Sequence, residues 1–172
     1  MRRIRLLVVA LLALGLTVTG LTAASAAPGY GPRAPEIRNL GAYATVDPYD
    51  REVVRVRGEY RCWGPSDAMH LWVSVKQGGP DPTAEGSSST VKAWYDTNIS
   101  MDVRVRCDGV WHTRTVRLER HPTDFTGRYL GFLKNGQAWL QFCMVSEQDE
   151  SLLASRNRWV TVRGAGYYGT PV

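Results

Sequence analysis

Three histidines and three cysteines are the residues of this 172-residue chain whose types are suited to catalysis or metal binding. His70, His112 and His121 fall on different predicted elements, and no H-E-x-x-H motif or paired-cysteine zinc spacing accompanies them. A G-x-S-x-G motif and a glycine-rich phosphate loop are also missing from the sequence. The sequence therefore predicts no catalytic residue, no metal site and no cofactor, and we expect the chain not to be an enzyme.

The elements that must position any functional residue are strands, because polar and apolar residues alternate repeatedly and no stretch has helical periodicity. Turn sequences such as "DPYD", "WGPSD", "GGPDP" and "CDG" separate the alternating runs, and Asp108-Gly109 predicts a hairpin. The spacing predicts an all-β, antiparallel, immunoglobulin-like Greek-key sandwich of about seven strands. Seven strands are predicted, with an extra edge strand at Thr90–Tyr95: Ala42–Val46, Val53–Cys62, Met69–Gln77, Ile99–Cys107, Trp111–Arg120, Gln137–Val145 and Arg158–Arg163.

The cysteines allow one disulfide and leave one thiol. Alternation places Cys62 and Cys107 on core-facing sides of strands that are antiparallel neighbours in such a sandwich, which favours a Cys62–Cys107 bridge. A Cys62–Cys143 bridge, as in antibody domains, is the alternative, but it requires Cys143 to face the core. In "QAWLQFCMV" the apolar residues lie on the opposite side of the strand from Cys143. We interpret Cys143 as a semi-buried structural cysteine, with a nucleophilic thiol as the other possibility.

Three tryptophans lie on the polar side of their strands. In "MHLWVSVKQ" the core set is Met69, Leu71, Val73 and Val75, so Trp72 points outward. The same phase turns Trp139 and Trp159 outward, on strands that share a sheet with Trp72. An exposed aromatic surface of this kind is typical of an interaction site. The predicted binding residues are Trp72, Trp139, Trp159, His70, Lys76, Gln141 and Arg163.

Two alternatives to this surface remain open, a cover over the tryptophans and a mistaken phase in at least one strand. The Gly78–Asn98 segment, or tails that contain Tyr30, Tyr167 and Tyr168, could cover the tryptophans as a small second core. On the opposite sheet, outward arginines are interspersed with acids, which predicts cross-strand ion pairs, with anion binding as the less favoured interpretation. These arginines are Arg55, Arg57, Arg61, Arg104, Arg106 and Arg117.

Four stretches, "GEYRC", "HLWVSVKQ", "VRCDGVWHTRTVRL" and "NGQAWLQFCMV", resemble a family of small secreted actinobacterial proteins known only as a domain of unknown function. The resemblance covers Val53–Val145. It implies an immunoglobulin-like fold and brings no known activity, substrate or catalytic residue. Cys143, within "QFC", looks like part of one branch of that pattern.

The first 26 residues read as a secretory signal peptide, with Arg2, Arg3 and Arg5, an apolar stretch too short for a membrane span, and the small residues Ala24-Ser25-Ala26. We predict a secreted, extracellular protein in which a flexible segment (27–41), one domain (42–164) and a flexible tail (165–172) follow the leader. Without the leader, 18 of the 21 basic residues remain against 16 acidic ones. Such a small excess does not favour nucleic acid as a partner.

The sequence thus predicts a non-enzymatic binding module. Its partner is an extracellular protein or a glycan, and a cell-wall component is included among these. A small-molecule-binding apoprotein is one alternative, and it requires an open apolar cleft. A protease inhibitor is another, with the loop in "CWGPSDAM" as its only candidate. A hydrolase is the third, and no set of residues supports it.

Overall fold

The computed structural model describes residues 33–84, 87–97 and 103–166. Within these ranges the chain is all-β, with one short 3₁₀ helix at Ser87–Ser89. Eight strands follow one another along the chain: β1 (Glu36–Arg38), β2 (Tyr43–Val46), β3 (Val53–Arg61), β4 (Met69–Gln77), β5 (Ala93–Asp96), β6 (His112–Arg120), β7 (Gly136–Ser146) and β8 (Leu152–Arg163).

Seven of these strands close into a barrel, in the order β3–β2–β8–β7–β4–β5–β6 and back to β3. All pairings around the ring are antiparallel except β2–β8, which is parallel and sets Tyr43 opposite Thr161. Strand β1 pairs with the far end of β3. The prediction of an open, antiparallel immunoglobulin-like sandwich is therefore wrong.

Two features that alternation cannot reveal close the barrel, the pairing of β5 on both of its sides and the parallel pairing of β2 with β8. The segment expected to add an edge strand at Thr90–Tyr95 forms β5, which pairs with β4 on one side and with β6 on the other. The parallel β2–β8 pairing closes the opposite side. A sandwich and a barrel both bury one side of every strand, so the same apolar phase fits either architecture.

The predicted strands otherwise agree closely with the observed ones, and β4 has the predicted bounds. Strand β8 starts at Leu152, six residues before the prediction, and β1 lies within the segment expected to be loosely ordered. The predicted strand Ile99–Cys107 lies partly outside the described residues. Its described part makes one isolated bridge, between Arg104 and His70.

The barrel interior is filled by the side chains that alternation assigns to it. Tyr60, Tyr95 and Phe142 are its largest fully buried residues. Gly58 of β3 is necessary for this packing, since a Cβ there would lie 2.7 Å from the Phe142 ring. Burial of each such side chain contributes about 1.5–3 kcal/mol.

The Cys62–Cys107 disulfide is present, with the Cα atoms 4.4 Å apart and the two cysteines separated by 45 positions along the chain. It joins the end of β3 to the segment that leads into β6. Cys143 is free and buried. The predicted pairing is thus confirmed, because the alternation in β3 had assigned Cys62 to the core side correctly.

Candidate functional site

The outer sides of β4, β7 and β8 carry the three predicted tryptophans, and these strands are neighbours in the barrel. Met69, Leu71, Val73 and Val75 lie in the core, so Trp72 between them projects from the outer side. Trp139 and Trp159 alternate in the same way with buried residues of β7 and β8. We call the outer side of these three strands the tryptophan face.

One row of side chains crosses this face from strand to strand. Trp94 of β5 is opposite Lys76, Lys76 is opposite Trp139, and Trp139 is opposite Trp159. Cross-strand neighbours on one side of a sheet lie about 4.5–5.5 Å apart at Cβ. The register therefore places three indoles and one amine side by side.

The Trp139 and Trp159 rings pack edge to face, with centroids 5.3 Å apart and planes 65° apart. Trp159 remains 45% exposed, whereas Trp139 is half-buried beneath it. The Nε1 of Trp139 is buried and has no hydrogen-bond partner among the described residues. The pair thus combines a fixed inner ring with an outer ring whose surface is open.

Tyr43 of β2 extends this aromatic surface across the parallel strand pair. It lies opposite Thr161, which is on the same side of β8 as Trp159, and its ring is 44% exposed. The Arg163 guanidinium lies 3.3 Å from the centre of the Tyr43 ring, which fixes the ring by a cation–π contact. We call Trp139, Trp159 and Tyr43 the aromatic strip.

A polar row runs alongside the strip. Ser74, Gln141 and Asn157 are cross-strand partners in that order, and the Ser74 hydroxyl donates to the Gln141 Oε1 at 3.3 Å. Ser74 is buried, Gln141 is half-buried and Asn157 is exposed. Two amides therefore lie beside the exposed indole, where they can donate and accept hydrogen bonds at the same ligand.

Lys76 is not a surface group, although its position in the row agrees with the prediction. It is only 5% exposed. Burial lowers the pKa of its amine, and the Asp96 carboxylate acts in the opposite direction. Lys76 therefore belongs to the support beneath the strip and not to the surface that a large ligand could touch.

Trp72 lies opposite Cys143, one row beyond the amides, and is half-buried. Burial raises the pKa of the Cys143 thiol to about 11, which keeps it protonated near neutral pH. A nucleophilic role for this thiol finds no support in that environment. Cys143 instead fills the space beside Trp72 as a small apolar side chain.

His70 lies apart from the strip, at the other end of β4. Its Nδ1 is 2.7 Å from the Glu147 Oε1, and both side chains line an open cleft of about 810 Å³ with Ser66, Asp67 and Arg104. The structure thus brings together Trp139, Trp159, Gln141 and Arg163 of the predicted set. His70 is separated from them, and Lys76 and Trp72 lie deeper.

The described part of the Gly78–Asn98 segment, whose cover over the tryptophans the sequence left open, does not lie over the strip, because Trp159 and Tyr43 remain exposed. Trp94 and Tyr95 belong to β5, within the barrel wall. Trp94 itself is covered from outside by the chain after β6, where His121 stacks on it at 3.8 Å and Phe125 meets it edge to face. Tyr30, Tyr167 and Tyr168 of the tails lie outside the described residues.

The arginines around β3 and β6 make part of the ion pairs that the sequence predicts, since Arg57 and Arg104 have no carboxylate within 4.0 Å among the described residues. Arg38 pairs with Glu59 at 2.8 Å, Arg61 with Glu36 at 2.7 Å, and Arg55 with Asp47. Further pairs join Arg117 to Glu119, Arg120 to Glu52 and Arg106 to Asp108. Most positive charge on this side is therefore neutralised within the chain.

Sequence reasoning missed Tyr43 and Asn157. Tyr43 was seen only as part of a short alternating run, since nothing in the sequence indicates a parallel partner for that run. Asn157 precedes the strand that the sequence predicts at Arg158–Arg163. A longer reading of the alternation through "LLASRNRWVTVR" would have included Asn157 on the same side as Trp159.

Within the described ranges no group of three or more histidine, cysteine or acidic side chains is arranged to hold a metal ion. The part of the chain that the structure describes also contains no helix with the length and hydropathy needed to cross a membrane.

No protein-family model matches the chain, and no curated protein matches it. Among solved structures it is similar to part of β-glucosidase 3B from Thermotoga neapolitana, with a TM-score of 0.32 and 15% identity over 73% of this chain and 16% of that one. A β-glucosidase from Listeria innocua gives a TM-score of 0.32 and 15% identity over 74% and 15%. Similarities at this level establish neither a shared fold nor a shared activity, and the resemblance to secreted actinobacterial proteins stays a prediction.

Proposed function

We propose that this chain is a secreted, non-enzymatic module that binds carbohydrate on the aromatic strip. The observation that carries the proposal is the exposed Trp159 ring, held edge to face against Trp139 and extended by Tyr43. Indole and phenol rings offer broad apolar area at little cost in conformational entropy, which suits the apolar face of a sugar ring. The amides of Gln141 and Asn157 are placed to hydrogen-bond its hydroxyl groups.

A carbohydrate fits this surface better than a protein partner does, because the strip is narrow and has a row of polar groups directly beside it. A protein interface of ordinary size needs about 800 Å² on each partner and an apolar centre. Here amides and a guanidinium lie directly beside the apolar rings. Sugars likewise present hydroxyl groups beside their C–H faces.

The export predicted from the sequence also supports the proposal. The Cys62–Cys107 bridge is of the kind that persists in oxidising compartments. The N-terminal leader predicted from the sequence lies outside the described residues. Together with the disulfide it supports a ligand outside the cell, among cell-wall or environmental polysaccharides.

Affinity electrophoresis against soluble polysaccharides tests the proposal, with barley β-glucan, xylan, laminarin and polygalacturonate as the probes. We expect at least one polymer to retard the mature protein and to shift its tryptophan fluorescence. Trp159→Ala should weaken that binding by about tenfold or more, since a central tryptophan is often a dominant contact. Tyr43→Ala should weaken it by a smaller factor.

Tyr49→Ala is the matched control, because Tyr49 is an aromatic residue of the β2–β3 turn that is 94% exposed and lies outside the strip. It should leave binding unchanged. Failure of the wild-type protein to bind any of these polymers, or equal binding by the Trp159 and Tyr49 variants, would contradict the proposal.

A further inference from the structure

Beside the aromatic strip, a groove of about 570 Å³ separates β8 from the turn after β1. Its lining consists of Asn39, Leu40, Arg156, Asn157 and Arg158. The groove exists because β2 pairs only with the last residues of β8, Thr161–Arg163. The earlier part of β8 therefore has a strand partner on one side only, β7.

Arg156 and Arg158 occupy core-phase positions of β8, opposite Phe142 and Leu140, yet both are exposed. Since the barrel wall is open at this point, their side chains enter the groove and not the core. Two guanidiniums on the apolar side of a strand are costly in a closed wall. In this open stretch they remain hydrated and accessible.

Neither guanidinium has a carboxylate within 4.0 Å among the described residues, in contrast to Arg38, Arg55 and Arg61. The Nη1 of Arg158 donates to the Leu40 carbonyl oxygen at 2.8 Å, which holds the group at the groove wall. The other direct hydrogen bond of Arg158, from Nε to the Trp159 carbonyl oxygen, is 3.2 Å long. Most of the ten N–H donors of the pair therefore remain for a ligand.

The strands that carry the tryptophan face are also free of acidic residues. β4, β7 and β8 contain Lys76, Arg156, Arg158 and Arg163 and no aspartate or glutamate. An approaching anion would meet uncompensated positive charge along β8. Asn157 lines the groove and also lies beside the aromatic strip, so it connects the two surfaces.

We infer that this groove binds the anionic groups of an acidic polysaccharide whose sugar rings lie on the aromatic strip. Guanidinium groups bind carboxylate and phosphate oxygens in the same two-point geometry, so either substituent would satisfy the groove. The inference rests on the proposed function and narrows it to one class of glycan.

The test compares polygalacturonate with its methyl ester, which has the same backbone without the charge, by isothermal titration at low ionic strength. A phosphomannan, compared with the mannan that remains after its phosphate is removed, is the phosphate probe, and an oligo(dT) strand is the nucleic-acid probe. We expect one of the two acidic polysaccharides to bind about tenfold more tightly than its neutral counterpart. Added salt should weaken that binding, as for any exposed ion pair.

Arg156→Gln with Arg158→Gln should remove the preference for the acid and leave binding of the ester unchanged. Arg57→Gln with Arg114→Gln removes the same charge from exposed positions of β3 and β6 and should have little effect. If the double variant unfolds, Arg156→Gln alone replaces it, because this substitution breaks no hydrogen bond seen in the structure. It should reduce the preference for the acidic polymer by an intermediate amount.

Equal binding of polygalacturonate and its ester by the wild-type protein, with no phosphate preference, would overturn the inference but leave the proposed function standing. In another outcome, the arginine variant loses binding of the acidic polymer while Trp159→Ala retains it. That result would contradict the claim that sugar rings lie on the aromatic strip and would support the groove alone. Tighter binding of oligo(dT) than of either acidic polymer would overturn the assignment to polysaccharide.

Discussion

Most arginines in and around β3 and β6 differ from those of β8 in their surroundings. Arg38, Arg55, Arg61, Arg117 and Arg120 each have a carboxylate partner, whereas Arg57 and Arg114 have none within 4.0 Å among the described residues. Along β8, Arg156, Arg158 and Arg163 have no carboxylate within 4.0 Å among the described residues. A charge that is neutralised within the chain stabilises the fold, whereas one without a partner on an open strand is available to a ligand.

The aromatic side chains show the same division. Near β3, Trp63 and Trp111 are enclosed by arginines: Arg61 lies over both rings, and Arg38 lies 3.8 Å from the centre of Trp111. On the other half, Trp159 leaves almost half of its surface open. We infer that the β3–β6 half contributes mainly to stability, whereas the β4–β7–β8 half carries the proposed binding surface.

Removal of the disulfide is the strongest way to separate the two roles. Cys62→Ala with Cys107→Ala should lower the free energy of unfolding by about 3–4 kcal/mol, because the bridge closes a 45-residue loop in the unfolded chain. Urea unfolding followed by circular dichroism measures this loss. At temperatures where the variant is folded, its polysaccharide binding should equal that of the wild-type protein. A folded variant that no longer binds would show that the halves are not separate.

A matched pair of single substitutions sharpens the comparison. Glu52→Gln weakens the partner of Arg120, whose side chain is only 9% exposed, and should lower the free energy of unfolding by about 1–2 kcal/mol. Arg156→Gln should change it by no more than about 0.5 kcal/mol, since that guanidinium has no partner to lose. Thermal unfolding of both variants measures these changes. Equal losses of unfolding free energy would show that the paired and the unpaired arginine do not differ in their contribution to stability.

Acidification should weaken the β3–β6 half, and each carboxyl group should contribute a smaller effect than the substitutions above. Hydrogen bonds from the Tyr49 amide and the Arg55 guanidinium lower the pKa of Asp47, and bonds from Arg38 and Asn39 lower that of Glu59. A carboxyl group whose pKa is lowered by folding stabilises the fold above its ordinary value and loses this effect as the pH falls below it.

The melting temperature should therefore decline as the pH falls below the ordinary values of 3.8 and 4.5. Asp47→Asn with Glu59→Gln should flatten that decline. A variant that retains the full decline would show that other carboxyl groups control the acid sensitivity.

Much of the candidate site follows from alternation in single strands. The outward phase of Trp72, Trp139 and Trp159 could be read from their apolar neighbours, and so could the inward phase of Cys62. The exposure of each tryptophan could not be read in this way, because it depends on what packs over the strand. Trp94 is buried by His121 and Phe125, which are 27 or more residues away along the chain, while Trp159 is left open.

The sequence by itself determined that the protein is all-β, which side of most strands enters the core, and which cysteines can meet. These properties depend on neighbouring residues and on the two-residue period of a strand. Only the tertiary structure decided that the sheet closes, that Tyr43 lies beside Trp159, and that Arg156 and Arg158 are exposed despite their core phase. Strand order and edge pairing are set by backbone hydrogen bonds between distant segments, and backbone groups are the same in every residue except proline.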